Sequence, residues 1–286
     1  MPQDITDLRR RIQEGVLGAL GASKALIEND HLGLKSGKHS PAYVNKDAQF
    51  PFPSMENGMP FIGEQVRRLM TALNIGFDVV AGPTEGGIVV AQWVAFAAYQ
   101  RGNPQVLAVF VDEERIGEGD LLPLLHVLEV AVPNFTNAHQ QEARDLVKKL
   151  IEKAKSPNRI LKRGYENIVP GRRVLVVEDV TTTGGSVKKA VDAVKAADGI
   201  VVAVCCIWNR GNVKAEDIGV PVLESLVTKE IPTWPADECP LCKELIMSGG
   251  KKGVPVNVTI GHGKQFLAAQ TPERRAILSG ERLEKQ

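Results

Sequence analysis

One stretch, residues 174–187, narrows the possible folds more than anything else in the chain. It opens with Val174, Leu175, Val176 and Val177, four apolar residues in a row, as a strand buried on both faces requires. Glu178 and Asp179 follow, then Val180, Thr181, Thr182, Thr183, Gly184, Gly185 and Ser186. From about Ser186 to Ala197 the pattern turns helical, with Val187, Ala190, Val191 and Val194 on one face, and residues 200–208 form the next apolar run. Strand, helix and strand of this kind make a parallel βαβ unit and hence an α/β fold.

The same stretch implies a chemistry. Open α/β sheets bind ligands beyond the C-terminal ends of their strands, where the two acids stand. Glycines let a backbone approach a ligand closely. Successive N–H groups and a helix N-terminus attract an anion, and Thr and Ser hydroxyls donate to phosphate oxygens. Two acids beside such a cradle would repel a bare phosphate, but they suit a ligand that also presents hydroxyls, such as a ribose phosphate. An ordinary N-cap needs a single Ser or Thr, and this run of hydroxyls and glycines exceeds that need. Neither G-x-x-x-x-G-K-[ST] nor G-x-G-x-x-G after a strand occurs, and Gly261-His262-Gly263-Lys264 lacks the first spacing.

The α/β theme continues along the chain. Residues 5–27 place Ile5, Leu8, Ile12, Val16 and Leu20 on one helical face, and a helix from near Ser54 turns Ile62, Val66, Leu69 and Leu73 inward. Residues 78–81 read as a buried strand ending at Gly82-Pro83, residues 86–99 as a helix apolar nearly all round, and residues 105–111 as another strand. Residues 121–157 differ in character. Ala143, Leu146, Val147, Leu150, Ile151 and Ala154 mark an amphipathic helix there that stops at Ser156-Pro157, and an insertion is expected. The last fifteen or so residues, charged in character, are expected to fray.

With 286 residues, 43% hydrophobic and 24% charged, the chain can bury a core without disulfides or metals. A single domain is expected, with its core over residues 30–230 and an extension over 231–286. Lys plus Arg total 35 against 34 for Asp plus Glu, so charge gives no case for nucleic acid as a partner. No apolar run reaches the roughly 18 residues of a membrane helix, and residues 1–11 hold no signal core. Cys205, Cys206, Cys239 and Cys242 do not form a secreted disulfide pattern. A cytoplasmic protein is expected.

Residues 174–187 resemble the phosphoribosyl pyrophosphate signature of type I phosphoribosyltransferases: apolar strand, two acids, then a Thr/Ser/Gly loop. The resemblance implies a Rossmann-like α/β fold, with a mainly parallel central sheet flanked by helices, an N-terminal hood and, here, a helical insertion. It implies that Glu178 and Asp179 hold the ribose hydroxyls and that Thr182, Thr183, Gly184, Gly185 and Ser186 wrap the 5-phosphate, with Val180 and Thr181 beside them. A β-branched residue at Gly184 is expected to crowd that phosphate loop. Ala81-Gly82-Pro83-Thr84-Glu85-Gly86-Gly87, a second strand-to-helix loop, is similar to the family's pyrophosphate loop, so Thr84, Glu85, Gly86 and Gly87 would meet the pyrophosphate.

A third segment, from Gly33 through Leu34-Lys35-Ser36-Gly37-Lys38-His39-Ser40-Pro41-Ala42 to Tyr43, resembles the N-terminal loop of orotate phosphoribosyltransferases. By that resemblance Lys35 reaches the pyrophosphate and the backbone near Tyr43 faces the base. Leu161-Lys162-Arg163-Gly164-Tyr165 also resembles those enzymes. In them an arginine placed like Arg210, just after a strand, meets the orotate carboxylate, which the guanidinium fork suits. Thr182 joins Tyr43 and Arg210 on the base side.

The resemblance thus implies transfer of ribose 5-phosphate to a nucleobase, orotate by the Lys-Ser-Gly loop and Arg210. Asp179, Glu178, Lys35 and Arg115 are the implied catalytic set, Mg2+ the implied cofactor, and a homodimer the implied assembly. A purine or other base, or a non-catalytic phosphoribosyl pyrophosphate-binding regulator, stays open. The regulator draws on a departure. The mobile loop of orotate enzymes carries Arg-Lys-x-x-Lys-x-His, whereas residues 111–119 hold only Arg115 as a base. Cys239-Pro240-Leu241-Cys242 is knuckle-like, but a closed zinc site needs four ligands. The other candidates, Cys205, Cys206 and His262, include two mid-strand cysteines that read as core residues. The knuckle therefore reads as a structural turn with no metal ligand assigned, and pairing of two knuckles across a dimer is left open.

Overall fold

The structure, a computed structural model, describes residues 4–34, 36–51, 54–83, 85–114, 118–131, 137–155 and 157–280. Six strands form the central sheet: β1 (Val79–Pro83), β2 (Leu107–Glu113), β3 (Arg159–Ile160), β4 (Arg173–Thr181), β5 (Ile200–Asn209) and β6 (Leu223–Thr228). Their order is β6-β5-β4-β1-β2-β3, all parallel except β3, which runs antiparallel to the end of β2. The chain leaves β1 toward β2 on one side and leaves β4 toward β5 on the other. The switch point of the sheet therefore lies between β1 and β4, where such sheets open a crevice for ligands.

Both faces of the sheet are covered, which explains the unbroken apolar strands. Along β4, Leu175 and Val177 pack into one core with α1 (Ile5–Ala22), α2 (Met59–Ala72) and α3 (Gly86–Gln100). Val174 and Val176 pack into the other with Val187, Ala190, Val191 and Val194 of α6 (Gly185–Ala196). Alternate residues of a strand point to opposite faces, so a helix on each side demands apolar residues at every position. The pairing carries β4 beyond Val177. Glu178 stands opposite Cys206, Val180 opposite Trp208 and Thr181 opposite Asn209, so the two acids lie inside the strand rather than after it. Gly82 and Pro83 likewise extend β1.

Two helix boundaries differ from expectation. The helix at the N-terminus stops at Ala22, because Lys24 takes a left-handed backbone and residues Leu26–Ile27 pair with Tyr43–Val44. The next helix begins at Met59 rather than near Ser54, with Gly58 at its N-cap and Pro60 in its first turn, where proline loses no hydrogen bond.

The region of the expected insertion holds two helices, α4 (Glu118–Ala131) packed on α5 (Asn137–Lys155); residues 132–136 and 156 lie outside the described residues. Lys153 binds Glu114 at 3.1 Å and Asp120 at 2.8 Å, rooting the pair at the end of β2. This narrows the loop expected at residues 111–119, of which residues 115–117 lie outside the described residues. Val111, Asp112 and Glu113 end a strand, and Glu118 and Gly119 begin a helix.

Strands near the N-terminus meet the C-terminal extension. Lys38–Ser40 pairs with Leu32–Gly33 on one side and Trp234–Pro235 on the other. Helices α7 (Pro240–Ser248), α8 (Gly263–Ala268) and α9 (Pro272–Ser279) close over a small core of Cys239, Cys242, Leu245, Val256, Leu267 and Leu278. The expected fraying is corrected over residues 272–280. Leu278 is fully buried and Thr271 caps α9; residues 281–286 lie outside the described residues. No helix among the described residues is long and apolar enough to cross a membrane.

Helices α2 and α3 touch at Gly63, where an added Cβ would stand 2.4 Å from the Trp93 carbonyl oxygen. Backbone cannot yield there as a side chain would. Gly63→Ala is expected to cost about 1–3 kcal/mol, read as a lower denaturant midpoint in equilibrium unfolding.

Candidate active site

Glu178 and Asp179 are each only 5% exposed. The Asp179 N–H donates to Glu178 Oε1 at 3.2 Å, the Val180 N–H to Asp179 Oδ1 at 2.6 Å, and the Ser186 hydroxyl to Glu178 Oε2 at 3.1 Å. Ser186, expected on the phosphate, thus reaches back to the acid from the first turn of α6. Burial, with the Asp179 charge alongside, pushes the Glu178 carboxyl up to about 8. At neutral pH it holds a proton that a hydroxyl-bearing ligand can meet.

Thr182 and Thr183 are exposed above the acids. Gly184 is the N-cap of α6, with φ of +76° and no side chain capping the helix. The hydroxyls are therefore not used as caps, and the first N–H groups of the helix have no side-chain cap, which suits an anion there. The space around Gly184 corrects the expected reason for its glycine. A Cβ there would strike Ile218 and Val213 at 2.9 and 3.0 Å, so the glycine serves the left-handed turn and the packing beneath it.

The loop after β1 comes to the same place. An added Cβ on Gly86 would stand 1.7 Å from Asp179 Oδ2, and one on Gly87 would meet Pro83 at 2.6 Å and the Val177 carbonyl oxygen at 3.0 Å. Glu85 is exposed at the N-cap of α3, again with no side-chain cap. Thr84 lies outside the described residues, as do Lys35 and Arg115.

The base-side candidates converge as well. The Arg210 N–H donates to the Thr181 carbonyl oxygen at 2.9 Å, and Gly211 lies so close to Thr182 that a Cβ would sit 1.7 Å from its carbonyl oxygen. Burial holds the half-buried Arg210 guanidinium below its ordinary range, and the nearby Tyr43 phenol acts the other way. Arg210 makes no ion pair among the described residues. One positioning residue escaped the sequence reading. The Asn209 amide donates to the Val213 carbonyl at 2.8 Å and its oxygen accepts from the Val213 N–H at 2.9 Å, clamping the loop that carries Arg210. Ser40 donates to the carbonyls of Ala42 and Pro232 at 2.8 and 3.0 Å, holding the approach to Tyr43. The oxygen donors of Glu178 and Asp179 suit a hard cation such as Mg2+. Cys205 and Cys206 are buried in β5, and the neighbours of Cys239 and Cys242 are His31 and His39.

A phosphoribosyl transferase domain model matches residues 60–240. The chain is 35% identical to the orotate phosphoribosyltransferase of Caldanaerobacter subterraneus subsp. tengcongensis over 79% of this chain and 92% of that relative. It is 33% identical to that of Heliobacterium modesticaldum over 81% and 93%. A solved structure of Mycobacterium tuberculosis orotate phosphoribosyltransferase aligns with a TM-score of 0.49 and 22% identity, covering 77% of this chain and 96% of that one.

The Glu178 carboxyl ties stability to pH. Its folded value, about 8, lies above the ordinary 4.5. The folded chain therefore binds this proton more tightly than the unfolded one. The contribution is complete below 4.5 and lost as pH climbs through about 8. Glu178→Gln is expected to raise Tm by a few degrees at about pH 8 and far less at about pH 5, measured by differential scanning calorimetry.

Proposed function

The chain belongs to the phosphoribosyltransferase family, on its orotate branch, and on that premise we propose that it transfers ribose 5-phosphate from phosphoribosyl pyrophosphate to orotate. The observation that carries the choice of base is Arg210, a desolvated guanidinium with no carboxylate of its own among the described residues, set beside Tyr43 and Thr182. A planar base bearing a carboxylate supplies the bidentate partner that such an arginine lacks. The names of the curated relatives point the same way.

In this reading the ribose lies on Glu178 and Asp179, its 5-phosphate on residues 182–186, and its pyrophosphate on Thr84, Glu85, Gly86 and Gly87. By the family resemblance Lys35 and Arg115 supply positive charge to the pyrophosphate, and Val180 and Thr181 lie beside the acids in β4. The bond from the anomeric carbon to pyrophosphate breaks with its electron pair leaving on the pyrophosphate, and a base nitrogen supplies the pair for the new bond. Positive charge grows on the ribose ring between the two events. The Asp179 carboxylate, held by the Val180 N–H and pressed by Gly86, stabilises it without reorganising. Catalysis rests on positioning and charge, with no covalent nucleophile. Bound Mg2+ would spread the charge of the departing pyrophosphate.

The exposed Leu121, Leu122, Leu125, Val147 and Ile151 of α4 and α5 give two copies an apolar face on which to pair, and a homodimer is part of the proposal. The four cysteines are unpaired, which fits a reducing compartment, and the activity is placed in the cytoplasm.

Pyrophosphate release with a panel of bases is expected to occur with orotate and not with adenine, hypoxanthine or uracil. Turnover with a purine alone would reject the base assignment, and none with any base would favour a regulator. Asp179→Asn is expected to lower kcat by about 100-fold or more while KM for phosphoribosyl pyrophosphate moves little. Arg210→Lys, which keeps the charge and loses the fork, is expected to raise KM for orotate about tenfold with KM for phosphoribosyl pyrophosphate nearly unchanged.

A further inference from the structure

Away from the acids, four metal-ligating side chains meet in the interior. His31, His39, Cys239 and Cys242 are all buried, and their ligand atoms lie within 4.8 Å of one another. His31 Nε2 stands 3.6 Å from Cys239 Sγ and 3.4 Å from Cys242 Sγ, Cys242 Sγ stands 3.3 Å from His39 Nδ1, and the two ring nitrogens are 2.9 Å apart. Zinc–sulfur bonds of about 2.3 Å and zinc–nitrogen bonds of about 2.0–2.1 Å, held tetrahedrally, put sulfur and nitrogen about 3.6 Å apart and two nitrogens about 3.3 Å apart. These sulfur–nitrogen edges match, and the two ring nitrogens stand about 0.4 Å closer than a bound zinc would hold them.

The surroundings orient the ligands. His31 Nδ1 lies 2.9 Å from the Val254 carbonyl oxygen. Its proton belongs on that nitrogen, so the Nε2 lone pair faces the two sulfurs and His39. A carbonyl on the far nitrogen is the usual support of a metal-bound imidazole. Cys239 is the N-cap of α7, and its sulfur caps no helix N–H. Phe266 packs edge-on to His39 with ring centroids 4.4 Å apart, closing that side with an apolar wall. Protons shared within the cluster satisfy its contacts one at a time, whereas a tetrahedral cation takes all four lone pairs at once.

We propose that His31, His39, Cys239 and Cys242 form a structural Zn2+ site that clips the strands near the N-terminus to the C-terminal extension. Two thiolates with two imidazoles select zinc among common cations, and four protein ligands leave no open position for chemistry. His31 immediately precedes Leu32–Gly33 and His39 lies in Lys38–Ser40, the strand paired with it, and Cys239 and Cys242 open the C-terminal helices. The ion would hold both feet of the loop that carries Lys35. The proposal stands whatever base the enzyme accepts.

The test is elemental analysis of full-length protein purified without chelators or metal-affinity resin, expected to show about one zinc per chain. Cys239→Ser with Cys242→Ser is expected to lose at least about 90% of it, and Cys205→Ser with Cys206→Ser to keep it. Should the first pair fail to fold, the parent protein grown with cobalt answers instead, by the visible absorption of tetrahedral thiolate-bound Co2+. Chelation of the parent is expected to lower Tm by more than about 5 °C, restored by zinc. Metal-free protein whose Tm ignores added zinc, or zinc that survives loss of both cysteines, overturns the site. So does cobalt protein without that absorption.

Discussion

The contact between the Gly86 backbone and the Asp179 carboxyl organises the site. It joins the loop after β1 to the acid pair of β4 at the point where the chain turns opposite ways across the sheet. Any side chain at Gly86 would occupy the space of that carboxyl. The glycine therefore sets how closely the loop after β1 approaches the acid pair, and the parallel pairing of Val79, Val80 and Ala81 with Val174, Leu175 and Val176 holds both to one register. Cores on both faces keep the two strands side by side.

That arrangement carries a cost. Glu178 is buried next to another acid, and its carboxyl gives up its proton far later than an ordinary glutamate. A buried carboxyl of this kind weakens the unliganded fold as pH rises, and hydroxyl donors from a ligand offset the burial. Stability and binding pull against each other at one residue, as functional sites commonly show.

The base side is assembled differently. Tyr43 arrives on the N-terminal segment through its pairing with Ile27, and Arg210 arrives at the end of β5, fastened by Thr181 and by the Asn209–Val213 clamp. The N-terminal segment rests in turn on the C-terminal helices. Gly33 lies against Gly263 and accepts from the His262 N–H at 2.7 Å, and Lys38–Ser40 pairs with Trp234–Pro235. The C-terminal extension thus supports the strands near the N-terminus, and α4 begins at Glu118, within the stretch expected as the mobile loop.

What the sequence determined by itself was local. The apolar run of β4, the hydroxyl and glycine run after it and the helical face of α6 are each complete within a dozen or so residues, so their periodicity declared strand, loop and helix. Gly86 could be read as a loop glycine, but its collision partner, Asp179, could not, because the two are brought together only by sheet order. The Asn209 clamp was missed since a lone asparagine at a strand end carries no pattern. His31 and Cys239 stand 208 residues apart in the chain and in contact in the fold. Spacing along a sequence reports neighbours within one element, and only the path of the backbone through space decides which distant side chains share a centre.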